Sequence, residues 1–247
     1  MHNYCTLFDS NYLTRGLAMY ESLKKYSDNF HLYIFSFDDK SHKLLKILNL
    51  EFATVISLKK FEDKELLKVK GDRSAGEYCW TCTPSTIKYC IESYNLDACT
   101  YLDADLYFFS NPAVLIEEMD EKSVLITEHR YTAQYDQSAA SGIYCVQFMT
   151  FKNDENGMRA LNWWRDSCNE WCYARFEDGK FGDQKYLDDW TTRFEGIHVL
   201  KNLGGGVAPW NIQQYDLSSD KSFNLIFYHF HNRKYADMQC LLRNLFF

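Results

Sequence analysis

The sequence predicts an α/β fold in a single domain, with a mostly parallel central sheet flanked by helices. Short apolar runs alternate with amphipathic, helix-length segments from residue 4 to residue 151, and this alternation is typical of a parallel sheet. Aromatic residues make up 17% of the 247 residues, against only 3 prolines, which predicts a large buried core rather than disorder. No repeat, low-complexity segment or linker divides the chain.

The elements of the first half follow from their apolar patterns. Apolar runs and helical spacing predict strands at residues 4–8, 31–37 and 53–58 and helices at residues 14–26 and 41–48. A third helix is expected to end at Tyr94. It is expected to begin at Thr83, because Thr is a good N-cap residue and Pro84 suits the first helical position.

The second half continues the pattern, with strands predicted at residues 98–102, 106–109, 124–127, 143–151 and 223–227, and helices at 157–176 and from near Asp183. Polar residues follow two of these strands at their carboxyl ends, which is where ligands bind in open α/β sheets. The C-terminal segment 241–247 is expected to be a helix packed on the domain or on a partner chain, with a peripheral membrane contact as the alternative.

Composition excludes several classes of function. The net charge of −7 and the pI near 5.5 disfavour a nucleic-acid-binding surface. No apolar run is long enough for a transmembrane segment, and residues 1–16 lack a signal-peptide layout. We therefore expect a cytoplasmic protein whose nine cysteines are reduced. Cys79 and Cys82 have the spacing of a redox pair, which stays a distant alternative because no second cluster accompanies them.

Asp103 and Asp105 carry the most informative motif. They follow the strand at residues 98–102 directly, and alternation along an extended chain places both side chains on one face. Two such carboxylates repel each other unless a cation offsets the repulsion. Mn²⁺ or Mg²⁺, bound also by a substrate diphosphate, would supply that charge. The alternative is an acidic turn, which the apolar residues on both sides disfavour.

Three further motifs could contribute to the same site. His229 and His231 are two residues apart after an apolar strand, and one of them could complete a metal site. The run 204–206 is Gly-Gly-Gly, which lets backbone N–H groups approach an anion, although such runs are more often flexible loops. Asp183 follows a glycine and could either cap a helix or point into a cleft.

With these motifs the chain resembles the GT-A glycosyltransferases, specifically bacterial nucleotide-diphospho-sugar transferases related to the family 8 type. The features that carry the resemblance over nearly the whole chain, in order, are Thr6–Asp9, the helix with Lys88, the motif around Asp103 and Asp105, Ser141-Gly142, Gly182–Lys185 and His229-Phe230-His231. The resemblance implies a nucleotide-binding half at residues 1–110 and an acceptor and sugar half at 111–247.

The resemblance also implies roles for individual residues. Asp183 and Gln184 would lie beside the anomeric carbon as catalytic residues. Asp103 and Asp105, with His229 or His231, would bind Mn²⁺ or Mg²⁺. The nucleotide-sugar would contact Phe8, Asp9, Tyr12, Arg15, Lys88, Asp103, Ala104, Asp105, Glu128, His129, Arg130, Ser141 and Gly142.

The implied reaction is sugar transfer from a UDP-sugar, or another nucleotide-sugar, to a hydroxyl acceptor. Retention is favoured, with Gln184 or Asp183 shielding the cationic sugar, whereas inversion would use Asp183 as general base. The acceptor would be a glycan of surface-polysaccharide type or a lipid-linked one, at the inner face of the membrane. A sugar-1-phosphate nucleotidyltransferase is disfavoured because residues 8–13 contain no Gly, and a non-catalytic carbohydrate-binding module is the second alternative. The oligomeric state stays open.

Overall fold

The central sheet is built from the apolar runs that the sequence predicts. The computed structural model describes residues 1–217 and 223–231. Its strands in chain order are β1 (His2–Phe8), β2 (Phe30–Ser36), β3 (Ala53–Ser57), β4 (Ala98–Leu102), β5 (Leu106–Phe108), β6 (Val124–Glu128), β7 (Tyr144–Lys152), β8 (Ile197–Val199) and β9 (Phe227–His229). Seven of them form one sheet in the order β3-β2-β1-β4-β7-β6-β8, and β5 pairs with β9 in a second, two-stranded sheet.

The prediction of a mostly parallel sheet in an α/β fold is confirmed. β1 is parallel to β2 and β4, β2 is parallel to β3, and β6 is parallel to β8. Only β7 runs antiparallel to its neighbours in this sheet, β4 and β6. The carboxyl ends of β1, β4 and β6 therefore meet at one edge of the sheet, and the segment that enters β7 lies at the same edge.

The helices cover both faces of this sheet. Their bounds are α1 (Leu13–Tyr26), α2 (Asp39–Leu48), α3 (Leu58–Phe61), α4 (Lys64–Lys70), α5 (Ala75–Tyr94), α6 (Ala113–Glu117), α7 (Ser138–Ser141), α8 (Glu155–Glu170) and α9 (Trp190–Arg193), with 3₁₀ turns at Ala133–Tyr135, Lys185–Asp189 and Ile212–Gln214. One buried cluster on α5 and α8 includes Trp164, whose ring stacks on Phe151 of β7 at 6.0 Å. A second cluster packs α1 against the opposite face.

Several predicted bounds are wrong, and capping explains the largest error. α5 begins at Ala75 rather than at Pro84, because Ser74 and Glu77 form a capping box that starts the helix two turns earlier. Pro84 lies inside the helix, which tolerates it. The other shifts are smaller: α8 ends at Glu170 rather than at residue 176, a 3₁₀ turn follows Asp183, and the last described strand is Phe227–His229 rather than 223–227.

Two further expectations concern thiols and membranes. The eight cysteines within the described ranges are all free, as the sequence predicts. No helix in the described part of the chain has the length and apolar character needed to cross a membrane. The predicted C-terminal helix at 241–247 lies outside the described residues.

Candidate active site

Asp103, Asp105 and His229 form one cluster at the carboxyl edge of the sheet. The antiparallel pair β5–β9 brings them together, because it places Leu106 opposite His229. The imidazole Nε2 of His229 lies 3.2 Å from Asp105 Oδ1 and 3.6 Å from Asp103 Oδ2. One ligand atom from each residue lies within 4.8 Å of the others.

The charges of this cluster are strongly coupled. Burial alone would lower the pKa of His229, but the carboxylate of Asp105 raises it well above its usual range. Burial alone would raise the pKa of Asp105, but the positive charge of His229 lowers it. Burial and the charge of Asp105 raise the pKa of Asp103. The positive charge of the His229 imidazolium thus offsets the negative charge of the carboxylates, as a bound cation would.

The donor set is suited to a divalent metal. Two carboxylate oxygens and one imidazole nitrogen converge in it, and Mn²⁺ accepts this combination while Mg²⁺ prefers the oxygens. Asp103, Asp105 and His229 are therefore positioned to bind a divalent metal ion. His231 is exposed and lies outside the cluster, although its ring is 5.6 Å from that of His229.

Two neighbouring residues contact the side chains of this cluster, and neither belongs to a site motif predicted from the sequence. The hydroxyl of Tyr101 donates to Asp103 Oδ1 at 3.1 Å. Gln147 is fully buried in β7, and its side chain lies 2.9 Å from Nδ1 of His229. The signal for Gln147 was present in the sequence, since it is an amide within the apolar run at residues 143–151.

Asp183 is buried beside this cluster, with 5% of its surface exposed. Burial, reinforced by the negative charge of Asp103, raises the pKa of Asp183 to about 8. Trp164 fixes its backbone, because the indole N–H donates to the Asp183 carbonyl at 2.8 Å. The residue at the N-cap of the following 3₁₀ turn is Gln184, not Asp183.

Gln184 and its neighbours fasten the segment 138–143 that enters β7. The Gln184 amide donates to the Ser141 carbonyl at 2.7 Å, and the Lys185 ammonium donates to the Ser138 carbonyl at 2.9 Å. Asp188 accepts from the backbone N–H of Ile143 at 2.7 Å. Both segments that were expected to contact the donor are thus joined, and within the described ranges the side-chain oxygen of Gln184 has no hydrogen-bond partner.

The end of β1 lies close to the cluster. Burial raises the pKa of Tyr12, and the negative charges of Asp105 and Asp103 raise it further. Asp9 accepts from the backbone N–H groups of Asn11 and Tyr12 and so shapes the turn. Arg15 lies over the Tyr12 ring, with Cζ 4.3 Å from its centroid. Phe8 points instead into the core, where it packs against Gly16.

Other predicted contact residues have structural partners. Lys88 is not brought to the cluster, because its ammonium contacts Glu92 and Asn162 between α5 and α8. Arg130 donates to three carbonyls around the glycine run, and the carbonyl of His129 accepts from Trp210 Nε1 at 2.8 Å. The remaining predicted residues lie at this edge of the sheet: Ala104 is in the turn after β4, Glu128 is the last residue of β6, and Gly142 follows α7.

The structure argues against a flexible loop at the glycine run and against a redox role for Cys79 and Cys82. The glycines at 204–206 are buried and packed against neighbouring backbone and side chains, so they are not a flexible loop. Burial raises the pKa of the Cys79 thiol to about 12 and that of Cys82 well above its usual range. Because the thiolate is the reactive form, redox chemistry at this pair is disfavoured.

Comparisons with solved structures identify the fold. The galactosyltransferase LgtC, in complex with donor and acceptor sugar analogues, matches with a TM-score of 0.59 at 12% identity over 93% of this chain and 87% of its own. Mouse xyloside xylosyltransferase 1 matches with a TM-score of 0.58 at 14% identity, over 94% of this chain and 98% of its own. At such identities the likeness shows the fold, which is the GT-A type that the sequence predicts.

Comparisons of sequence give nearer relatives. No family model matches the chain. Uncharacterized protein YfnD of Bacillus subtilis (strain 168) is 32% identical over 241 residues, covering 92% of this chain and 76% of YfnD. Uncharacterized protein YfnF of the same strain is 30% identical over 242 residues, covering 92% of this chain and 80% of YfnF. The chain therefore belongs to the same family as YfnD and YfnF and has the GT-A glycosyltransferase fold.

Proposed function

We propose that this protein is a metal-dependent glycosyltransferase that moves a sugar from a nucleotide-diphospho-sugar, with a UDP-sugar favoured, to a hydroxyl group of an acceptor. The observation that carries the proposal is the cluster of Asp103, Asp105 and His229 at the carboxyl edge of the sheet. The GT-A fold, shared with a galactosyltransferase and a xylosyltransferase, supports the same class of reaction.

The residues of the cluster would hold Mn²⁺ or Mg²⁺. A divalent cation bound there supplies Lewis-acid stabilisation of the charge that develops on a diphosphate leaving group. Tyr101 and Gln147 hold the ligands through hydrogen bonds, so the donor atoms need little reorganisation. Tyr12, near the carboxylates, would lie against the nucleotide, together with the turn that Asp9 forms.

Gln184 and Asp183 would face the sugar. The Gln184 amide is fixed on the Ser141 carbonyl, which leaves its side-chain oxygen to shield a cationic sugar ring. Asp183 is a poor general base in the metal-free protein at neutral pH, because its raised pKa of about 8 keeps it protonated. Retention, which the resemblance favours, needs no such base, because the departing phosphate accepts the acceptor's proton; inversion would use Asp183 as base.

The acceptor is proposed to be a glycan or a lipid-linked saccharide of the surface-polysaccharide type, used at the cytoplasmic face of the membrane. Support for this comes only from the resemblance to bacterial nucleotide-diphospho-sugar transferases. NMR of the purified product settles its stereochemistry, and an inverted anomeric configuration would contradict the proposed role of Gln184.

The test is the release of nucleotide from a panel of UDP-, GDP- and ADP-sugars, with Mn²⁺, with Mg²⁺ or with EDTA. We expect one or more UDP-sugars to be turned over only with metal, and Asp103→Asn to lower that rate at least about 100-fold. The matched control is Asp166→Asn, because the Asp166 side chain is 79% exposed on α8. Equal turnover with EDTA would contradict the metal-dependent mechanism. Pyrophosphate released from UTP and a sugar 1-phosphate would favour a nucleotidyltransferase instead.

A further inference from the structure

Gln147 contacts two of the three metal-site residues at once. Its backbone carbonyl accepts a hydrogen bond from the N–H of Asp103 at 3.0 Å. Its side-chain Oε1 lies 2.9 Å from Nδ1 of His229. These two residues are far apart in sequence: Asp103 lies in the turn after β4, and His229 is the last residue of β9. Gln147 therefore links that turn to the end of β9.

The surroundings of Gln147 make this contact specific. Every residue from Tyr144 to Phe151 is buried, and Gln147 itself has no exposed surface. Within the described ranges its Nε2 has no hydrogen-bond partner, and an unsatisfied buried amide destabilises the fold. A Cβ added at Gly206 would lie 3.2 Å from that nitrogen, so the glycine leaves room for the amide. Among the described residues, the hydrogen bond to His229 is therefore the polar contact that this buried side chain makes.

The two nitrogens of His229 have different partners. Nε2 faces the oxygens of Asp105 and Asp103 at 3.2 and 3.6 Å. Nδ1 faces an amide oxygen, which only accepts hydrogen bonds, so Nδ1 must carry a proton. In the imidazolium form, which faces the carboxylates, both nitrogens carry a proton. In the neutral form that can bind a metal, Nε2 needs a free lone pair, so the proton again lies on Nδ1.

We propose that Gln147 is a positioning residue that keeps a proton on Nδ1 of His229 and so directs Nε2 toward Asp103 and Asp105. This inference rests on the proposed metal-dependent function. Acceptors placed behind a metal-binding histidine fix its tautomer and orientation, and their loss commonly weakens metal binding about 10–100-fold. The backbone carbonyl of Gln147 also accepts a hydrogen bond from the N–H of Asp103. One residue therefore fixes the position of a carboxylate ligand relative to the imidazole ligand.

The test measures Mn²⁺ binding without nucleotide, from the electron paramagnetic resonance signal of free Mn²⁺. Gln147→Met, which keeps the shape but removes the acceptor, is expected to raise the Kd for Mn²⁺ about 10–100-fold. Gln147→Glu restores an acceptor and is expected to bind within about tenfold of the original protein. The control is Thr150→Val on the same strand, which removes the buried hydrogen bond to Thr100 and should leave the Kd unchanged.

A second measurement is made on the unaltered protein, and a variant serves only to assign the spectrum. NMR of protein labelled with ¹⁵N-histidine, assigned with His229→Gln, should show a proton on Nδ1 of His229 in the metal-free state. An unprotonated Nδ1, or a Gln147→Met variant that binds Mn²⁺ as tightly as the original protein, would overturn the role of Gln147 alone. If the original protein binds no Mn²⁺, the proposed metal centre fails and the purpose assigned to Gln147 fails with it.

Discussion

Gly204→Ala tests how the cluster of Asp103, Asp105 and His229 is held together. A Cβ built on Gly204 would lie 2.0 Å from the backbone oxygen of Asn224. Gly204 also accepts hydrogen bonds from the N–H groups of Ile226 and Phe227, at the start of β9. The substitution therefore pushes on the backbone that leads directly to His229.

The size of the effect follows from this contact. Reaching an ordinary contact of 3.4 Å requires the two atoms to move apart by about 1.4 Å, and the obstacle is backbone rather than a flexible side chain. Overpacking of this kind costs about 1–3 kcal/mol, and we expect about 3 kcal/mol here. At about 2–4 °C per kcal/mol for a chain of this size, the Tm should fall by about 6–12 °C. The Kd for Mn²⁺ should rise about tenfold, because β9 carries His229.

Thermal unfolding and Mn²⁺ titration of the purified variant measure both effects. Gly71→Ala is the matched control, because nothing lies within 4 Å of its added Cβ and its φ of −70° suits alanine. We expect the control to change the Tm by no more than about 2 °C. A Gly204→Ala protein as stable as the control, with unchanged Mn²⁺ binding, would refute the conclusion that the glycine run supports β9.

The remaining predictions concern the carboxylates and Gln184. Asp105→Asn should weaken Mn²⁺ binding at least about 100-fold, by loss of a ligand, whereas Asp166→Asn should not; equal Kd values would contradict a metal role for Asp105. Asp183 has a folded-state pKa of about 8, above its unfolded value, so the folded state holds the extra proton between about pH 4 and 8. The free energy of unfolding of the metal-free protein should therefore fall with rising pH in that range, by up to about 1.4 kcal/mol per pH unit from this group. Asp183→Asn should flatten that dependence in urea titrations at pH 5 and 8, and an unchanged slope would contradict the buried proton. Gln184→Ala should lower the turnover of the nucleotide-sugar about 10–100-fold with little change in Mn²⁺ binding; full activity would exclude Gln184 from contact with the sugar.

Local sequence patterns predicted the strands of the sheet but not the ends of every helix. The apolar runs around Tyr33 and Tyr101 were sufficient to place β2 and β4, because a buried strand is a short-range feature. Pro84 misled the prediction of α5, since a proline suits the first helical turn but is also tolerated inside a helix that a capping box has already started. The reversed direction of β7 depends on how the chain returns after β6, which no residue pattern in that segment encodes.

The candidate site, like the fold, was predicted only where local sequence patterns determine it. Asp103 and Asp105 were found because the apolar residues on both sides of the pair disfavour a solvated acidic turn, and His229 because it also follows an apolar strand. Their meeting depends on the pairing of β5 with β9 across more than 100 residues, which local patterns do not encode. Lys88 was expected at the nucleotide, but its half-buried ammonium pairs with Glu92 and Asn162, and the packing of α8 that supplies Asn162 is not encoded by the local pattern around Lys88. Gln147 was missed because its partner is distant in sequence.

The most direct measurement is thermal unfolding of the protein and of Asp105→Asn with UDP-sugars, each with and without Mn²⁺. A ligand present at about 100 times its Kd stabilises the folded state by about 2.7 kcal/mol, which corresponds to a rise in Tm of about 5–11 °C. We predict that rise for at least one UDP-sugar with the unaltered protein, only when Mn²⁺ is also present, and its loss in Asp105→Asn. The same rise without metal, or an equal rise in Asp105→Asn, would contradict binding of the nucleotide-sugar through a metal held by this cluster.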